Sequence, residues 1–292
     1  RAFATASDSR YEGATGLTFP GVFAMVAHMN SKKYGIPLED LKHAMNLQAI
    51  KNHANGKLNP KGHLPFSIAD AMATQQRKAK EKGKPVPSWA DENEFLNDGA
   101  VNRYICEPLR LYDCCPFSDG GAANVVTSLE TAKHLTDKPV IIAGVGLGSA
   151  GPLFVQKDIT VIGARIEAAK QSYELSGLTP KDIDLCEIHD CFSIAEIVAN
   201  EALGFFEFGK GWEALEKGET KIGGRIPINP SGGLKSKGHP IGATGSSQAY
   251  EVTKQLREEA GPRQVDGAKV GMTDTLGGDL GTICNIILKR GW

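Results

Sequence analysis

The sequence contains no long apolar run. Its longest uncharged stretch, Pro139 to Val155, is interrupted by glycines and by Pro152, so it reads as strand plus loop rather than as a membrane span. Charge of one sign is also lacking. Lys plus Arg number 33 against 34 Asp plus Glu, so no overall field points to nucleic acid or to an anionic membrane. Six cysteines, at 106, 114, 115, 186, 191 and 284, lack the spacing of a disulfide-stapled secreted domain, and residues 1–10 lack the apolar core of a secretory signal. Reduced thiols in a cytoplasmic setting are expected, with an organelle as the alternative. The sequence opens on Arg1 rather than Met, which reads as the processed or interior start of a longer protein. No fixed-period repeat is present. What remains is ordinary globular composition, 41% hydrophobic and 23% charged over 292 residues, enough for one large domain or two modest ones.

The first hundred residues are polar and mixed. Pro20 suits a helix's first turn, and Val22, Val26 and Met29 follow at near-helical spacing; Leu38, Leu41 and Met45 predict a second helix from Leu38 to about His53. Arg77, Lys78, Lys80, Lys82 and Lys84, ending in Pro85-Val-Pro87, read as an exposed insertion, either a solvated face or a contact for a phosphate or an acidic partner. From Asp113 strands and helices alternate, the texture of an α/β layered domain. Strands are expected over Val140–Val145, Ile183–Cys191, Lys269–Thr273 and Thr282–Lys289, and helices over Ile159–Ser176, from Ser193, and from about Pro240 to Glu259.

Three segments could carry chemistry. Cys186-Glu-Ile-His-Asp-Cys191 has the side chains of a metal site, but strand alternation puts Glu187, His189 and Cys191 on one face and Cys186 on the other, so no metal is expected. The same alternation makes His189 and Cys191 neighbours at the carboxyl end of a strand, where open α/β sheets place their chemistry. Ser193 and Glu196 form the pattern of a capping box, and a helix N-terminus at that point would ease ionisation of the Cys191 thiol. A buried, inert cysteine beside a satisfied histidine is the competing reading.

The second segment runs from Asn229 to Gly245. Gly233 and Gly238 have P-loop spacing, but His239 stands where the essential Lys would be, so the loop presents a histidine on open backbone rather than cradling a phosphate. The third, Gly146-Leu-Gly148-Ser-Ala-Gly151, outlines a dinucleotide fingerprint but lacks the helix that should follow it.

His189-Asp-Cys191-Phe192, the Asn229-Pro-Ser-Gly-Gly and Gly238-His-Pro-Ile-Gly-Ala-Thr-Gly245 runs and Gly277-Gly278, in this order, resemble the thiolase superfamily, in its sterol-carrier-protein-type and archaeal–bacterial branch. Lys51-Asn-His53, Asn55-Gly56, Asn59-Pro60 and Ser118-Asp-Gly120 resemble further segments of that branch. The resemblance implies an α/β thiolase fold, layered α/β/α/β/α in two similar halves, with the first half incomplete. Residues 1–100 would then be the remainder of the N-terminal half plus a loop or lid region, 101–137 the end of that half, and 138–292 the C-terminal half. It further implies that 3-oxoacyl-CoA is cleaved, or acyl-CoA condensed with acetyl-CoA, through an acyl-cysteine on a preceding segment. Coenzyme A is then a substrate, with no permanently bound cofactor.

By the same resemblance His239 activates the nucleophile, His189 completes an oxyanion site with the backbone of Gly278, and Cys191 is the acid/base. A homodimer or tetramer and a zinc-ribbon/OB-fold partner subunit are implied as well. Two other readings stay open: a thiolase-fold aldolase acting on a hydroxyacyl-CoA, and a non-catalytic thiolase-like subunit. Asp274-Thr275 departs from the His-Asn usual to the branch, which with the long basic segment points to a bulky or unusual 3-oxoacyl substrate.

Overall fold

The computed structural model describes residues 6–292. Two long helices come first, α1 (Phe19–Tyr34) and α2 (Leu38–Lys57). Pro20 lies in the first turn of α1, where its missing N–H costs nothing, and Gly35 closes the helix at φ 66. Val22 and Val26 face the core as their spacing predicts, whereas Met29 points to solvent because the buried stripe continues through Ala27 and Asn30. The basic segment is more ordered than an insertion. Ser67 and Asp70 form a reciprocal capping box that starts α3 (Ile68–Glu81), so Arg77, Lys78 and Lys80 ride on a helix and only Lys82 and Lys84 fall beyond it. The short α4 (Glu92–Asn97), the ribbon of β1 (Tyr104–Cys106) and β2 (Leu109–Arg110), and α5 (Leu129–Leu135) complete this part.

The remaining elements build one four-stranded sheet. Its strands are β3 (Val140–Ser149), β4 (Leu185–Ile188), β5 (Val270–Gly277) and β6 (Thr282–Arg290), in the order β3-β6-β5-β4. Only β4 and β5 run parallel, so their carboxyl ends open on the same side. Alternation sorts the side chains of β4: Cys186 and Ile188 join a core with α6 (Gly163–Ser176) and α7 (Ser193–Ala202), while Leu185 faces α10 (Thr244–Leu256). The short helices α8 (Gly211–Glu216) and α9 (Gly233–Ser236) lie between α7 and α10 in the chain. No helix among the described residues is long and apolar enough to cross a membrane.

Two glycines of the dinucleotide-like segment, Gly146 and Gly148, serve packing together with Gly144 before it. They sit within β3 with their open faces against α6. A Cβ at Gly144, Gly146 or Gly148 would lie 2.2, 1.8 and 1.9 Å from the carbonyl oxygens of Ser172, Ala168 and Ala164. No side chain fits there without displacing helix backbone. Gly146→Ala is therefore expected to destabilise the fold by about 2–3 kcal/mol through overpacking. A urea-unfolding midpoint equal to that of the natural chain would contradict this.

Candidate active site

Strand β4 ends earlier than the sequence pattern suggests. Ile188 is its last residue, and His189, Asp190 and Cys191 form a turn that leads directly into α7. The cause is visible in the turn's own bonding. Asp190 N–H bonds back to the Ile188 carbonyl, and its carboxylate accepts from Leu234 N–H (2.7 Å), Asn52 Nδ2 (2.7 Å) and Gln48 Nε2 (3.1 Å). These bonds pull residue 190 out of the sheet ladder. The expected capping box also fails to form. Ser193 is already helical, and Glu196 accepts instead from Lys51 Nζ (2.5 Å) and Gln48 Nε2 (3.2 Å).

The second histidine arrives on the loop between α9 and α10. The chain enters α9 from Asn229, held at φ 53 by three bonds: its Oδ1 accepts Ile188 N–H, its N–H donates to the Cys186 carbonyl, and its carbonyl accepts from Asn55. Gly233 is indispensable to the path, since a Cβ there would meet the Asp190 carboxylate at 2.5 Å. Gly238, at φ 115, then turns the chain so that His239 comes back toward β4. The rings of His189 and His239 meet edge to face, 4.9 Å between centroids. α10 begins only at Thr244, later than its sequence pattern suggests, and this leaves Thr244 as the partner of His239.

The proton on His239 can be assigned from its surroundings. Thr244 Oγ1 donates to the Pro240 carbonyl (3.0 Å), so it accepts from His239 Nδ1 (2.7 Å), and Nε2 is left as the basic nitrogen. The His239 backbone N–H donates to Ser118 Oγ (3.0 Å), which bonds in turn to His63 Nδ1 (2.7 Å). Burial, helped by Lys237, lowers His239 to about 4. Burial also holds His189 well below the ordinary imidazole range, with His239 and Arg165 adding to it. Both rings are neutral near pH 7. Nδ1 of His189 is buried and has no hydrogen-bond partner among the described residues.

Cys191 lies in the same turn, buried, with its carbonyl accepting Cys115 N–H (2.9 Å). The thiol does not ionise easily, contrary to the expectation from the helix N-terminus. Burial pushes it well above its usual value, Cys115 and Asp190 push the same way, and Lys235 and Arg165 only oppose them. Desolvation outweighs the helix dipole here. Cys186 faces the core on the other side of β4, and no group of three or more His, Cys, Asp or Glu among the described residues is placed to hold a metal ion. Gly278 lies in the turn between β5 and β6 at φ 65.

The supporting network on and just after α2 was only partly legible: Lys51-Asn-His53, Asn55 and Asn59 stood out as family-like segments, but the bonds they make did not. Gln48, Lys51, Asn52 and Asn55 on α2, and Asn59 just beyond it, are all buried and reach Asp190, Glu196, Ile228, Asn229 and Ser231. Their helical spacing was the available signal: a polar stripe on a helix whose other face is core. Arg165 and Asp274, buried and paired at 2.9 Å, were also missed as a pair.

Residues 149–290 match the family model described as thiolase C-terminal domain-like. An acetyl-CoA acetyltransferase of Methanothermobacter thermautotrophicus is 41% identical over 290 residues, spanning 99% of this chain and 68% of that protein. Sterol carrier protein 2 of Rattus norvegicus is 44% identical over 212 residues, 70% of this chain and 38% of that protein. Among solved structures, one titled Ltp2-ChsH2(DUF35) aldolase superposes with a TM-score of 0.74 at 24% identity, covering 98% of this chain and 67% of that one. With the expected α/β fold matched and whole-chain similarity to acetyl-CoA acetyltransferases, this chain is an acyltransferase and belongs to the thiolase superfamily.

Proposed function

We propose that the chain supplies the acid/base and oxyanion part of a coenzyme A-dependent thiolase site, which cleaves a 3-oxoacyl-CoA or condenses acyl-CoA with acetyl-CoA. The observation that carries this reading is the contact between two neutral histidines, His189 and His239, with Cys191 two residues from one of them at the carboxyl end of β4. His239 Nε2 takes the proton of the attacking thiol and then, as N–H, donates to the thioester oxygen. His189 and the Gly278 amide are assigned to the same developing oxyanions. Cys191 removes or returns the α-proton.

The nucleophilic cysteine is assigned to a segment outside this sequence, as the resemblance to the family implies. Burial raises Cys114 to about 11 and Cys115 to about 12, Cys186 is core, and Cys191 has the proton-transfer role. A cleft of about 480 Å³ beside the His239 loop, lined by Lys61, Ser118, Lys237, Ser247 and Tyr250, is assigned to the pantetheine and phosphates of coenzyme A. A homo-oligomer and a zinc-ribbon/OB-fold partner belong to the same reading; support for a partner comes from the aldolase structure whose title joins two components. Trapping the intact protein with acyl-CoA and sequencing acylated peptides tests the assignment. The acyl group is expected on a cysteine that is none of these six; label on any of them would overturn it.

A further inference from the structure

Arg165 heads the largest fully buried side chains among the described residues, and its bonding is incomplete. Nε donates to Asp274 Oδ1 at 2.9 Å, with both side chains wholly inaccessible, while Nη1 and Nη2 meet no partner among the described residues. Asp274 is fixed from other directions, since Oδ1 also accepts Asn285 Nδ2 (3.0 Å) and its carbonyl accepts Gln248 Nε2 (3.0 Å). The pairing runs through Nε alone, so the two Nη groups are not consumed by the counterion.

The pair sits beside the reacting groups. Asp274 lies across from Ile188, the last residue of β4, and His189 follows at once in the turn. Ala164, the neighbour of Arg165 on α6, packs in the same buried cluster as Cys191 and Phe192. The guanidinium charge acts on His189, Cys191 and Cys186, and the carboxylate acts on Cys186, Tyr173 and Cys284. The ionisable groups facing Cys191 are Cys115 from the segment after β2, Asp190 in its own turn, Lys235 on α9 and Arg165 on α6; those facing His189 are His239 and Arg165. Of the two cations near the thiol, Lys235 donates one of its three N–H groups to the Asp113 carbonyl, and Arg165 keeps both Nη groups without a partner among the described residues.

We infer that Arg165, anchored by Asp274, is a positioning residue of the acyltransfer site, whose fixed charge favours thiolate at Cys191 and a neutral imidazole at His189 while the α-proton moves. The inference rests on the acid/base role proposed for Cys191. In that step the α-carbon–hydrogen bond breaks, the proton ends on sulfur, and the electron pair passes to the thioester oxygen as an enolate. A cation fixed beneath the turn lowers the cost of the starting thiolate without needing to move.

The test is exchange of the acetyl-CoA α-protons into D2O by the intact enzyme, followed against pH in Arg165→Gln, Arg165→Lys, Asp274→Asn and Cys191→Ala. Arg165→Gln is expected to move the pH midpoint of exchange up by about one unit or more and to slow exchange at pH 7 at least about tenfold. Arg165→Lys restores the midpoint, and Asp274→Asn, which removes the opposing charge, moves it down. A midpoint unmoved in Arg165→Gln while exchange still requires Cys191 overturns the inference. Should Arg165→Gln not fold, a midpoint in Asp274→Asn that stays or rises overturns it equally. Exchange that survives Cys191→Ala instead removes the acid/base role itself, so the two failures are distinguishable.

Discussion

Replacing Cys191 with Ala in the intact enzyme is expected to lower condensation by about 100- to 10,000-fold, the usual contribution of a positioned acid/base group, while acyl transfer to the enzyme is largely kept. The buried environment of the thiol adds a directional expectation. Because burial raises it well above its usual value, the resting form near pH 7 is the neutral thiol, which is the form that returns a proton during cleavage. Cleavage should then be flat with pH through neutrality, whereas condensation, which needs the thiolate, should climb by up to about tenfold per pH unit. Steady-state rates in both directions from pH 6 to 9 check this. Equal pH dependence in the two directions, or unchanged condensation in Cys191→Ala, would remove the assignment.

His239→Ala is expected to act on the other half-reaction, lowering acylation by about 100- to 10,000-fold through loss of the base. It should also flatten part of the pH dependence of stability. His239 is lowered to about 4 in the folded chain, against about 6.5 when unfolded, so between these values the unfolded state binds more protons. Stability is therefore lost as pH falls through that window. Removing the imidazole should recover roughly 2 kcal/mol of the difference between pH 7 and pH 4. Unfolding curves at the two pH values measure it, and an undiminished acid loss in the variant would assign that loss to other groups.

Much of this arrangement was legible because it is written in local patterns. Periodicity marked α1 and α2, and glycines around a single histidine marked the loop of His239, while alternation drew attention to His189 and Cys191 although both lie beyond the end of β4. What was misread depends on contacts between distant segments. The end of β4 is set by bonds to Asp190 from α2 and α9, and the capping pattern at Ser193 is overridden because Glu196 is recruited by Lys51, 145 residues earlier. A local motif yields when a buried charge offers its partner a stronger bond than the cap would. Desolvation of Cys191 is also a tertiary property, so the same residues that predicted an eased thiol carried no sign of the opposite shift.

The glycine track on β3 has a catalytic reach that its position conceals. Gly148 touches the carbonyl of Ala164, and Arg165 is the next residue of α6. Helix-to-sheet spacing at that point therefore decides whether the guanidinium can reach Asp274, two strands away in the order β3-β6-β5. An added methyl group at Gly148 would act as a shim: even in a chain that still folds, it would lift the cation away from the turn that bears His189 and Cys191. A residue with no polar atom of its own beyond the backbone thus tunes proton transfer by fixing a distance.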